Sequence, residues 1–329
     1  MSDAYIRVEN LKKYFPTKRG MLHAVDDVSF EIKKGETLGL VGESGCGKST
    51  LGRCLIRLLD STSGRVLLKN NDNDEYTDIT KASSHEMKAL RKRVQIVFQD
   101  PYSCLNPRLS VWELIAEPLI VNRIYTDKNE MRKRIRSLMD TVGLAERLEN
   151  SYPHELDGGR RQRIGIARSL ALNPEFIVLD EPVSALDVCI QAQILNLLNT
   201  LQKEFNYTYV FISHNLSVVR HVSDRIAVMY LGQIVELSEY RDLFTTPIHP
   251  YTQALLSAIP LAKLDVKRER IILEGDVPSP IEPENACRFA GRCRYAKEKC
   301  RTVPPALQEI LPGHFSACHY AKNTVISLV

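Results

Sequence analysis

The sequence predicts an α/β protein built around a phosphate-binding loop, with an N-terminal antiparallel β subdomain, an inserted helical subdomain and a small cysteine-rich, metal-binding extension at the C-terminus. Three observations carry this expectation. Gly42-Glu43-Ser44-Gly45-Cys46-Gly47-Lys48-Ser49-Thr50 fits the G-x-x-x-x-G-K-[ST] pattern between an apolar run at 37–41 and a helical run from Lys48 to Leu59. A second apolar run, Phe176 to Leu179, delivers Asp180 and Glu181 at its end. Half of the eight cysteines, Cys287, Cys293, Cys300 and Cys318, fall in the last stretch.

Taken in order, Ile6 to Leu11 and Val25 to Ile32 alternate as strands, and Lys12 to Pro16 between them reads as a loop that carries Tyr14. That aromatic either stacks on a nucleotide base or packs on its own sheet. In the phosphate loop the glycines let backbone N–H groups wrap a polyphosphate, the following helix N-terminus adds aligned donors, and Lys48 adds a full charge. Ser49 is placed to offer its hydroxyl to Mg²⁺.

From Ser61 to Leu90 the chain is polar and weakly patterned, and the acidic run at 70–75 reads as a surface excursion. Val94 to Phe98 returns to strand character and ends at Gln99, an amide for a metal-bound water or an ordinary turn residue. Helices follow at 111–142, broken at 125–127, which marks an inserted subdomain over about 100–172. Within it, Asp157-Gly158-Gly159-Arg160 opens an amphipathic helix and makes a second candidate anion site, with helix capping as the structural role of Asp157.

The Phe176 to Asp180 run reads as a buried parallel strand with its acids at the end where such sheets place ligands. Asp180 suits the magnesium shell, and Glu181 the orientation of a water. A last buried strand, Tyr209 to Ile212, ends at Ser213-His214, where a histidine can reach a terminal phosphate. The division expected is a nucleotide domain at 1–260 and an extension at 261–329.

Composition sets limits on function. The 329 residues hold 44% hydrophobic and 26% charged content with a net charge of +4, ordinary for a globular protein and too weakly basic to argue for nucleic acid. No apolar run reaches the ~18 residues of a membrane span. The first residues lack the regions of a signal peptide, so a cytoplasmic place is expected, and the cysteines then point to metal or redox chemistry over disulfides.

In sequence order these features resemble the ATP-binding cassette (ABC) ATPases over nearly the whole chain. Gly42 to Ser49 is similar to the Walker A loop, Gln99 to the Q-loop, Leu156 to Arg160 to the signature and Phe176 to Asp180 to the Walker B strand. Glu181 then matches the catalytic carboxylate, 184–187 the D-loop and His214 the switch histidine. The resemblance makes Tyr14 the adenine-stacking residue, assigns Ser49, Gln99 and Asp180 to Mg²⁺ and brings Asp157, Gly158 and Gly159 to the partner's nucleotide. The stretches 98–108 and His249-Pro250-Tyr251-Thr252-Gln253-Ala254-Leu255-Leu256 further resemble the oligopeptide/dipeptide (and nickel) permease ATPases, in the form of the second of two paired subunits. That group implies ATP-driven closure of a dimer with a second ATPase, two integral membrane permease subunits and an outside solute-binding protein. It implies a place at the cytoplasmic face of the membrane and no nucleic-acid partner. Competing classes are a cassette ATPase of DNA repair or translation, which usually carries two cassettes or a long coiled-coil insertion not seen here, and a structural or regulatory metal module, which leaves Glu181 and His214 idle. An exporter cassette, which the 249–256 segment argues against, and an importer of nickel or another solute complete them.

One position departs from the family. The signature serine is Asp157 here, and a carboxylate ~4 Å from a phosphate costs about 1 kcal/mol in water and more when partly desolvated. Arg160 is placed to offset it, and a dimer with one slow site is expected. The tail spacing C-x5-C-x6-C-x17-C has no C-x-x-C knuckle, which disfavours a zinc ribbon, and the resemblance to the peptide-permease group implies an iron–sulfur cluster for some members, so a [4Fe–4S] cluster is weighed above Zn²⁺ and both above unligated cysteines. Arg288, Arg292, Arg294 and Arg301 are read as offsetting thiolate charge, and His314 and His319 as substitute ligands.

Overall fold

The computed structural model describes residues 4–70, 74–259 and 270–325, so the boundary expected at 260/261 and residues 71–73 of the acidic run lie outside the described residues. The strands are Ala4–Thr17 (β1), Gly20–Lys33 (β2), Thr37–Val41 (β3), Ser63–Lys69 (β4), Tyr76–Asp78 (β5), Val94–Val97 (β6), Phe176–Asp180 (β7), Thr208–Ile212 (β8), Arg225–Tyr230 (β9), Gln233–Glu239 (β10), Gln308–Leu311 (β11) and His314–Ser316 (β12). The chain forms two compact units: 1–32, 37–80 and 211–329 in one, 33–36 and 81–210 in the other.

In the first unit β2-β1-β4-β5 make one sheet, with β1 antiparallel to β4 and β4 to β5. A second series runs β11-β12-β10-β9-β3. β3 lies parallel to β9, and every side chain of β3 is buried. A strand closed to water on both faces favours apolar residues in succession, which is why the run at 38–41 does not alternate. β9, β10 and β12 then pair antiparallel, so the C-terminal segment extends the sheet that bears β3. The Ser213 amide donates to the Leu40 carbonyl and sets the end of β8 beside β3 within this unit.

In the second unit β8, β7 and β6 are successive neighbours, with β6 and β7 parallel. The Thr208 amide donates to the Glu175 carbonyl, and Arg93 pairs with Glu175 at 2.8 Å, tying the starts of these strands together. Among the described residues, 101–170 holds only helical elements, chiefly Val111–Val121, Lys128–Thr141 and Gly158–Leu170. The 111–121 helix starts in a capping box between Ser110 and Glu113, worth about 1 kcal/mol.

Three expectations change. Lys12 to Pro16 is strand, because β1 continues to Thr17 against its neighbours. The polar stretch 61–90 contains β4, β5 and the Ser84–Arg93 helix. Only Val66 and Leu68 of β4 face the core, too few for a periodic signal. The helix after the phosphate loop closes at Leu55, four residues before the expected Leu59.

Candidate functional site

In the first unit the loop leaves buried β3 and enters the Lys48–Leu55 helix. Gly42, Gly45 and Gly47 all have positive φ, and a Cβ at Gly42 or Gly47 would lie 2.1 Å from the Met229 carbonyl or 2.0 Å from that of Ala24. Glycine is therefore required twice, by conformation and by space. Lys48, 5% exposed, turns its ammonium back onto the Gly42 carbonyl at 2.8 Å and the Glu43 carbonyl at 2.9 Å. The Cys46 carbonyl accepts from Gly232, and the Cys46 thiol, raised by burial, sits under the loop. Ser44 and Gly45 are exposed, while Ser49 and Thr50 are half-buried in the first helical turn. This leaves a loop held open with its tip toward solvent.

Tyr14 stands half-buried on β1, with one ring face on His23 at a 3.9 Å centroid distance and 19°. Its hydroxyl donates to Asp26, and burial followed by that carboxylate raises its pKa. Asp26 also receives Arg288 and faces His23 at 3.3 Å, and hydrogen bonds and charge hold its carboxyl low against burial. A base stacked on this pair has one tyrosine face left to use. His214 follows β8 and is exposed.

In the second unit Asp180 ends β7 at 1% exposure, and Glu181 follows with φ of +48°. A left-handed glutamate is strained, and such strain marks positions where a side chain is aimed at the expense of stability. The Gln99 amide donates to the Glu181 carboxylate at 3.1 Å, so these two predicted residues meet.

Asp157 N-caps the Gly158–Leu170 helix: its Oδ1 accepts from the Arg160 amide at 2.8 Å, and Arg160 Nε lies 3.4 Å from Oδ2. The cap and the ion pair expected from sequence are thus both made, on an exposed side chain. Gly159 is buried, and a Cβ there would meet Ile190 at 2.6 Å, so the helix start packs closely on the Val188–Phe205 helix.

The four tail cysteines converge in the first unit. The Cys287 amide donates to the Cys300 carbonyl, and the Cys287 thiol is pushed up to about 11 by burial, with further increments from Cys300, Cys293 and Cys318. Yet among the described residues no group of three or more His, Cys, Asp or Glu is arranged to hold a metal ion. The substitute histidines are committed elsewhere, His314 to Glu236 at 2.6 Å and His319 to the Val303 carbonyl at 2.9 Å. Nor do all the arginines face thiols. Arg288 binds Asp26 and Arg292 binds Glu43, because those buried guanidiniums find carboxylates nearer, while Arg294 acts to lower a thiol, Cys293. Tyr251 was legible only as part of a motif. Its hydroxyl accepts from the Glu43 amide at 2.9 Å.

Comparison places these features among known proteins. The sequence profile described as ABC transporter matches residues 25–184, and that described as the C-terminal region of oligopeptide/dipeptide transporters matches 235–300. The Bacillus subtilis oligopeptide transport ATP-binding protein AppF is 50% identical over 327 residues, covering 96% of this chain and 97% of its own. A Brucella ovis relative named for peptide import is 47% identical over 313 residues, 95% of this chain and 96% of its own. Among solved structures, the ATP-binding cassette MJ0796 in a dimeric post-hydrolysis state with ADP and Pi superposes with a TM-score of 0.64 at 31% identity, over 72% of this chain and 99% of that one.

Proposed function

This chain belongs to the ABC transporter ATPases, in their oligopeptide/dipeptide group, and from that membership we infer that it is the ATP-hydrolysing subunit that powers import of di- and oligopeptides through a membrane transporter. The observation that carries the reading is full-length likeness to peptide-transport ATPases, joined to a phosphate loop whose lysine and glycines have the conformation the motif demands.

The roles follow from chemistry. Amides of residues 42–50, Ser44 among them but not Glu43, whose N–H is held by Tyr251, and the Lys48 ammonium receive the phosphates. Ser49, Gln99 and Asp180 are assigned to Mg²⁺, Glu181 to orienting the water, His214 to the terminal phosphate and Tyr14 to the base. Asp157, Gly158 and Gly159 serve a partner subunit's nucleotide. No helix among the described residues is long and apolar enough to cross a membrane. The expected partners are two integral permease subunits, a solute-binding protein and a second ATPase that contributes its own signature, with this chain peripheral at the cytoplasmic face.

For the tail we propose a [4Fe–4S] cluster on Cys287, Cys293, Cys300 and Cys318. Support comes from the four thiols, which lie within one another's charge field and are of the ligand type such a cluster takes. When bound it would supply electron-transfer chemistry or a structural clamp.

The test is uptake of a labelled oligopeptide into liposomes bearing this chain with its permease subunits and second ATPase, in the presence of the solute-binding protein. ATP-dependent uptake lost with Lys48→Ala is expected. Uptake of nickel ion without peptide, or of neither, would reject the substrate class.

A further inference from the structure

The thiol-bearing loop reaches the phosphate loop with its own side chains. Between Cys287 and Cys293 stand Arg288, Phe289 and Arg292. Phe289, 2% exposed, lies edge-on to Tyr230 at 5.3 Å and 88° and against Tyr251 at 5.5 Å. Tyr251 in turn holds the Glu43 amide. Arg292, its side chain 9% exposed, forks onto the Glu43 carboxylate, with Nη1 to Oε2 at 2.9 Å and Nη2 to Oε1 at 3.3 Å. Arg288, 7% exposed, donates to the Asp26 that anchors Tyr14.

Glu43 places a carboxylate inside a loop whose pattern takes up a polyphosphate. Left unpaired it would repel that anion, at a cost that grows with each added phosphate charge. A bidentate guanidinium cancels it and leaves the amide field of the loop to the ligand.

We infer that Arg292 is a positioning residue for nucleotide binding: it neutralises Glu43, and so makes polyphosphate affinity depend on the seating of the Cys287 to Cys293 loop. This rests on the phosphate-loop reading above.

The experiment measures binding of Mg-ATP, Mg-ADP and AMP to the full chain by calorimetry, for wild type, Lys48→Ala, Arg292→Met, Glu43→Gln and the double variant R292M/E43Q. Arg292→Met is expected to weaken ATP about tenfold, ADP less and AMP by no more than about twofold. Beside Glu43→Gln the same substitution is expected to cost under about twofold, because the charge it balanced is gone. Wild-type affinity in Arg292→Met, an equal loss for ATP and AMP, or a loss undiminished in the double variant would each overturn the inference and leave Arg292 as packing alone. Should Arg292→Met not fold, Arg292→Gln, which removes the charge but keeps a polar donor, is read by the same two comparisons. A wild type that binds ATP no better than Lys48→Ala would instead reject the phosphate-loop reading itself.

Discussion

At the scale of single residues, two carboxylates of the proposed site differ in how they are held. Glu181 sits just past β7 at a strained φ of +48° with the Gln99 amide on its oxygen. Glu181→Gln keeps shape and strain and removes the carboxylate, so under the proposed role Mg-ATP turnover in the assembled transporter is expected to fall by about a hundredfold or more while ATP binding persists. Unchanged turnover would reject its role. Asp157 is held by its own helix, capping it and pairing with Arg160. Serine caps as well as aspartate, so Asp157→Ser is expected to leave the melting temperature within a few degrees and to raise turnover at the site it completes by about fivefold, as like-charge repulsion disappears. No change in per-site turnover would mean that Arg160 already cancels the carboxylate. Both residues were legible in the sequence, being tied to a motif by spacing. The contacts of Arg292 and Tyr251 were not, since what they touch lies 249 and 208 positions away.

At the scale of the element, the Pro250–Ser257 helix shows how a motif becomes structure. His249 caps it: Nδ1, without a proton, accepts from the Tyr251 amide at 3.1 Å. Burial lowers its pKa to about 4, against an upward pull from Glu236, itself held by the Ile248 and His249 amides. An unfolded histidine protonates near 6.5, so between about 6.5 and 4 the unfolded chain binds the extra proton. The stability contributed by neutral His249 is therefore complete above about pH 6.5 and is lost as pH falls toward 4, by about 2 kcal/mol at pH 5. Denaturant unfolding at about pH 7.5 and about pH 5 checks this. The variant His249→Asn caps without titrating, and it is expected to lose that much less stability between the two. Equal losses would place the pH sensitivity elsewhere. The capped helix matters to the site because Tyr251, two residues on, fixes the Glu43 amide.

At the scale of the whole molecule, the tail belongs to the unit that carries the phosphate loop, through the antiparallel β10–β12 pairing and a strand bridge between Leu22 and Ile281. Anaerobic purification is expected to yield near-stoichiometric iron and sulfide with broad visible absorbance, lost in Cys293→Ser. Zinc alone, or no metal, would reject the cluster. What the sequence by itself determined is everything written in local spacing: the glycines and lysine of the loop, the apolar runs β3, β7 and β8, the acids at the end of β7 and the helix that Asp157 opens. These are legible because a buried parallel strand and a phosphate loop each constrain consecutive residues. The tertiary structure alone decided the long-range pairs: Arg292 on Glu43, Arg288 on Asp26, His314 on Glu236 and the tail strands on β10. The charge of an arginine says that it needs a partner, but burial and proximity choose which carboxylate it finds, and neither is a property of neighbouring residues in the chain.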